Sequence, residues 1–159
     1  MKSTMRKLYI TIFFMMLSFV QPFQVNAYFL ELNSQKGVIG EIVTYELSID
    51  KSPNNISAFG LDLKYDPKIL DFQSFERGDL VKNGFSLFDA NKISNGCVRI
   101  GGVDLDKKFI PKNKTGTLIV LKFKVVGKGD CILKPEKLLD DLSSFDTKSG
   151  SFEINTNGQ

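Results

Sequence analysis

Two pairs of carboxylates, Asp104 with Asp106 and Asp140 with Asp141, come nearest in this chain to residues whose type and spacing could do chemistry. A glycosidase needs two acids about 5–10 Å apart, one to protonate the leaving oxygen and one to act at the sugar. Both pairs fall where turns are expected, and acids there are ordinarily solvated surface groups. The same acids do not show the fixed offsets of Asp, Asn and Glu that build an EF-hand calcium loop. The chain contains no histidine, which removes the commonest general base, the commonest metal ligand and every Ser–His or Cys–His nucleophile pair. Cys97 and Cys131 lack the spacing of a zinc site, and no glycine-rich phosphate loop leads into a helix. These residues predict a protein that binds rather than reacts, with no catalytic residue, no cofactor and no metal of its own.

The first 27 residues read as an export signal. Lys2, Arg6 and Lys7 precede an apolar run from Leu8 to Val20, Gln21 and Pro22 break it, and Val25-Asn26-Ala27 suits a signal peptidase. The run is short for a transmembrane helix, which needs roughly 20 residues. The expected mature chain, residues 28–159, has no membrane span and is secreted. The signal holds three basic residues and no acids, so the 21 Lys+Arg and 18 Asp+Glu of the whole chain become balanced once it is removed. A neutral domain has no electrostatic footprint for nucleic acid. Its length suits one domain able to bury a core without disulfide or metal staples.

Along the chain the dominant period is two. Val43, Tyr45, Leu47 and Ile49 alternate with polar residues, as do Phe59, Leu61, Leu63 and Tyr65, then Val98 and Ile100, Leu121, Phe123 and Val125, and finally Phe152 and Ile154. One face of each run is apolar and the other polar, the pattern of an antiparallel sheet with one buried face. Turn signals such as Pro53-Asn54-Asn55, Asp66-Pro67, Asn83-Gly84, Asn95-Gly96 and Gly127-Lys128-Gly129 separate them. About nine strands in a two-sheet sandwich are expected, with a short helical turn within Pro135–Asp141.

Several of these runs, in order, resemble the cohesin family, the receptor modules that grip dockerins in cellulosomes. The segment from Ile56 to Leu70 is similar to the family's third and fourth strands, above all Tyr65-Asp66-Pro67-Lys68-Ile69-Leu70. Arg77-Gly78-Asp79-Leu80, Asn95-Gly96-Cys97-Val98-Arg99-Ile100-Gly101-Gly102, Gly116-Thr117-Leu118 with Leu121-Lys122-Phe123-Lys124-Val125, Lys137-Leu138-Leu139-Asp140 and Gly150-Ser151-Phe152-Glu153-Ile154 follow in the family's order. The resemblance implies a nine-stranded jelly-roll β-sandwich and a non-catalytic role in a polysaccharide-degrading or cell-surface assembly. It implies a dockerin-like partner that carries calcium itself. The alternative is a carbohydrate-binding module of the same architecture, with polysaccharide as ligand.

In the family, dockerins dock on the outer face of the sheet formed by strands eight, three, six and five. An outward Asn and Asp on the third strand help hold them, and this chain departs by placing Ala58 and Gly60 there. Alternation puts Asp62 and Lys64 outward on the same strand, with Arg99 and Gly101 outward beside them. On the fifth strand, Phe85 and Leu87 are expected in the core, leaving Ser86 and Phe88 outward. Asp62 and Arg99 are expected to form a solvated ion pair contributing about 0–1 kcal/mol, and Phe88 is a candidate aromatic anchor. Cys97 falls outward on the sixth strand and Cys131 inward on the eighth. With the third strand between them they lie about 9–10 Å apart, beyond disulfide reach.

Overall fold

The alternating segments form strands in the computed structural model, which describes residues 27–155. The expected signal peptide, Met1–Ala27, lies outside the described residues apart from Ala27. Among the described residues there are eleven strands: β1 (Phe29–Leu32), β2 (Gln35–Gly37), β3 (Ile42–Ile49), β4 (Ala58–Lys64), β5 (Leu70–Arg77), β6 (Leu87–Ser94), β7 (Cys97–Val103), β8 (Gly116–Val125), β9 (Cys131–Asp140), β10 (Asp146–Lys148) and β11 (Gly150–Ile154). The count exceeds nine because the first and last segments each contribute to both sheets. β1 lies in one sheet and β2 in the other, and β10 and β11 divide likewise.

One sheet has the order β10-β1-β3-β8-β5 and the other β2-β11-β9-β4-β7-β6. Most neighbours are antiparallel, but β1 runs parallel to β10 and β2 parallel to β11. The apolar face of each sheet is turned onto the other. Tyr45, Leu47 and Ile49 of β3 and Leu121, Phe123 and Val125 of β8 meet Phe59, Leu61 and Leu63 of β4 and Val98 and Ile100 of β7 in a single buried core. Phe123 is the hub of its aromatic part, with the rings of Tyr65, Phe72 and Tyr45 centred 5.0, 5.5 and 5.7 Å away. Each such side chain, fully buried, stabilises the fold by about 1.5–3 kcal/mol.

The expected helical turn within Pro135–Asp141 is corrected: those residues continue β9 as far as Asp140. Pro135 is tolerated because it lies beyond the register shared with β11, which ends at Leu133, where β9 has β4 as its neighbour. Two glycines show why the backbone needs them. Gly96 closes the β6–β7 hairpin at φ +79°, and a Cβ on it would come within 2.6 Å of the Tyr65 carbonyl. At Gly102 a Cβ would come within 2.9 to 3.1 Å of the rings of Phe85, Phe88 and Phe59.

Candidate partner-binding face

The outer face of β9-β4-β7-β6 is assembled from strand register, because residues directly opposite each other in adjacent antiparallel strands point to the same side. One row is Ala58, Val103 and Leu87. The next is Leu139, Gly60, Gly101 and Asp89. A third is Glu136, Asp62, Arg99 and Asn91, and a fourth begins with Lys134, Lys64 and Cys97. The structure therefore brings Ala58, Gly60, Asp62, Lys64, Arg99 and Gly101 together on one face.

Asp62 is not the solvated partner expected. It is 1 % exposed although it lies on the solvent side of the sheet. Arg99 covers it as a two-pronged donor, Nε to Oδ1 at 2.8 Å and Nη2 to Oδ2 at 3.0 Å. Lys137 adds its Nζ at 3.2 Å from Oδ2. The hydrogen bonds from Arg99, followed by Lys137, outweigh the opposing effect of burial and hold the Asp62 carboxyl below its ordinary value of 3.8. Lys137 reaches it because the register between β4 and β9 slips between Gly60 and Asp62. Lys137 itself adopts φ 50°, a backbone conformation uncommon outside glycine. A bulge of this kind re-aims a side chain. The cluster holds four cations (Lys64, Arg99, Lys134 and Lys137) against two carboxylates (Asp62 and Glu136, which pairs with Lys134).

Phe88 and Leu87 exchange the sides expected of them. Leu87 is 60 % exposed, and Phe88 opposes Gly102 on the inner side. There the Phe88 ring lies 6.0 Å from Phe59 and 5.9 Å from Phe75, with the Arg77 guanidinium 5.2 Å from its centre. The cause is Phe85, buried as expected but at φ 57°. That left-handed residue interrupts the alternation, and the strand resumes one residue out of phase. Ser86 is exposed and precedes β6, and its hydroxyl donates to Asp106 Oδ2 at 2.9 Å.

Of the acid pairs, Asp141 ties its loop to the start of β4, and Asp104 closes a turn within its own loop. Asp141 Oδ2 accepts from the backbone N–H groups of Ser57 and Ala58 at 2.7 and 3.1 Å, and Asp104 Oδ1 accepts from the Asp106 N–H at 2.9 Å. Among the described residues no three His, Cys, Asp or Glu side chains converge to hold a metal. Cys97 and Cys131 are free, on β7 and β9 with β4 between them; Cys97 is buried although its row faces outward.

Sequence reasoning missed Lys134, Glu136, Lys137 and Leu139, because β9 was read as containing a helical turn. The signal lay in Leu133 and Pro135 alternating with Lys134 and Glu136, a period of two that continues until the bulge. For β6 the signal lay downstream, in Phe88 and Ala90 alternating with Asp89 and Asn91.

A family model described as cohesin domain matches residues 29–158. No curated protein sequence matches the chain. Among solved structures, a non-cellulosomal cohesin from the hyperthermophilic archaeon Archaeoglobus fulgidus is 20 % identical, with 83 % of this chain and 94 % of that chain covered and a TM-score of 0.66. The sixth cohesin of scaffoldin B from Acetivibrio cellulolyticus, in complex with a Cel5 dockerin mutant, is 17 % identical over 82 % of this chain and 100 % of that one, with a TM-score of 0.69. The cohesin of a type I cohesin–dockerin complex from Clostridium thermocellum is also 17 % identical, with 82 % and 100 % covered and a TM-score of 0.70. Likeness at these identities establishes the fold.

Proposed function

This chain belongs to the cohesin family, and from that premise we propose that it is a non-catalytic receptor module whose outer β9-β4-β7-β6 face receives a calcium-loaded dockerin. Cohesin domains are binding modules, and the absence of histidine from the whole sequence fits a role without acid–base chemistry. The observation that carries the reading is the face itself: four register-aligned strands present exposed Leu87, Val103 and Leu139 beside a cationic cluster. Similar folds are seen in complex with dockerins. Export by the N-terminal signal would place the module outside the cell, where such assemblies work.

Polysaccharide is the less favoured ligand. Sugar platforms use exposed aromatic rings, whereas the four rows of this face carry none and Phe88 is turned inward. The test is capture from the source organism's secreted proteins by immobilised residues 28–159, with calcium and with chelator. A dockerin-bearing protein recovered in calcium and lost in chelator is the expected result. Recovery of none, with retention on cellulose or xylan gels instead, would overturn the receptor reading.

A further inference from the structure

Glycine in a strand interior weakens the sheet, because it gives up packing and loses more backbone freedom on folding than any other residue. Most of the glycines here repay that cost within the chain. A Cβ on Gly78 would come within 2.1 Å of the Thr117 carbonyl oxygen, on Gly127 within 1.9 Å of that of Lys68, and on Gly150 within 2.2 Å of that of Asn33. Gly60 and Gly101 do not fit this pattern. They oppose each other in the middle of β4 and β7, on the outward side. A Cβ on Gly60 would meet Leu139 no closer than 3.4 Å, and one on Gly101 would meet only the Phe59 carbonyl oxygen, at 3.4 Å. Both are ordinary van der Waals distances, and neither glycine has a left-handed φ. No backbone atom or ring of the fold crowds a Cβ at either position.

Gly101 leaves backbone with no side chain above it, and Gly60 beside it is roofed only by Leu139; a glycine in a strand interior is one mark of a place where a ligand or another backbone comes close. Its surroundings define what fits. On one side lie Ala58, Val103 and Leu87, the last 60 % exposed, and over Gly60 lies Leu139, 53 % exposed. On the other side lie Arg99 and Lys137, two cations sharing the single carboxylate of Asp62. Adjacent rows are two residues apart along a strand, about 7 Å. Four residues of an α-helix rise about 6 Å. An apolar side chain and a carboxylate one turn apart on a helix lying along the strands would therefore reach the glycine row and the cationic row together.

Resting on the receptor reading above, we propose that Gly60 and Gly101 form the floor of a specificity site. It seats a bulky apolar side chain from the partner's docking helix, with an Asp or Glu one turn along facing Arg99 and Lys137.

The experiment is a yeast-displayed library on a calcium-loaded type I dockerin, with the docking-helix residues randomised and the full mature chain as selecting reagent. Leu, Ile, Met or Phe should be enriched at one position and Asp or Glu about four residues away. Enriched clones should bind the Gly60→Val/Gly101→Val double variant at least tenfold more weakly. The Gly60→Ala/Gly101→Ala variant should lose less, and both variants should melt no lower than the parent. Small or polar residues at the first position, no acidic enrichment at the second, or equal binding to the valine variant overturns the inference while leaving the receptor reading intact. If no clone binds the parent chain at all, the receptor reading fails and the floor falls with it.

Discussion

A carboxylate that loses its water on the solvent side of a sheet must be held by its neighbours, and Asp62 shows how. Its oxygens are occupied by Arg99 and Lys137, and its pKa is lowered first by the Arg99 hydrogen bonds. A depressed folded-state pKa contributes stability that is present above the unfolded value, near 3.8, and is lost as pH falls through the lower folded value. Asp62→Asn should therefore destabilise the protein near neutral pH by about 1 kcal/mol, a small figure because both cations remain largely solvent-accessible. The difference between the two proteins should shrink as pH falls below 3.8. Denaturant melts from neutral to strongly acid pH would show it, and a constant difference throughout would refute it. The pairing of Asp62 with Arg99 was legible from alternation taken together with the strand order that the family resemblance implies. Its burial was not, because the covering Lys137 arrives from a bulge that no local pattern announces.

At the scale of elements, the strands whose alternation ran unbroken were readable: β3, β4, β7 and β8 present the faces that their apolar residues demand. β6 was misplaced because the left-handed Phe85 just before it changes phase, and β9 was read as holding a helical turn where its alternation breaks off at the left-handed Lys137. Period-two reasoning assumes extended backbone throughout, so a single residue outside that region misplaces every side chain beyond it. The two adjacent glycines of β7 provide a test of this face assignment. Gly102→Ala pushes a methyl group into the rings of Phe59, Phe85 and Phe88 and should cost about 1–3 kcal/mol through overpacking. Gly101→Ala, one residue earlier and on the opposite face, should cost nothing measurable or stabilise. Equal losses in urea titrations of the two variants would mean that the faces are wrongly assigned.

For the whole molecule, the two-sheet architecture followed from the number of amphipathic strands and the turn residues between them. The sharing of terminal segments between sheets did not, since β1, β2 and β10 are three or four residues long, too short for periodicity to register. The expected export signal bears on where the assembled domain works. Expressed with its first 27 residues in a secreting bacterial host, the protein should appear in the medium beginning at Tyr28. N-terminal sequencing that returns Met1 or Lys2 would show the segment to be retained.

The parallel pairing of β1 with β10 and of β2 with β11 has a mechanical consequence. Phe29 lies beside Asp146 where the chain enters the fold, and Ile154 lies beside Gly37 where it leaves. Tension applied between these ends pulls the two parallel pairs lengthwise past each other, across the direction of their hydrogen bonds. The bonds of each pair are then loaded together instead of being peeled apart one at a time.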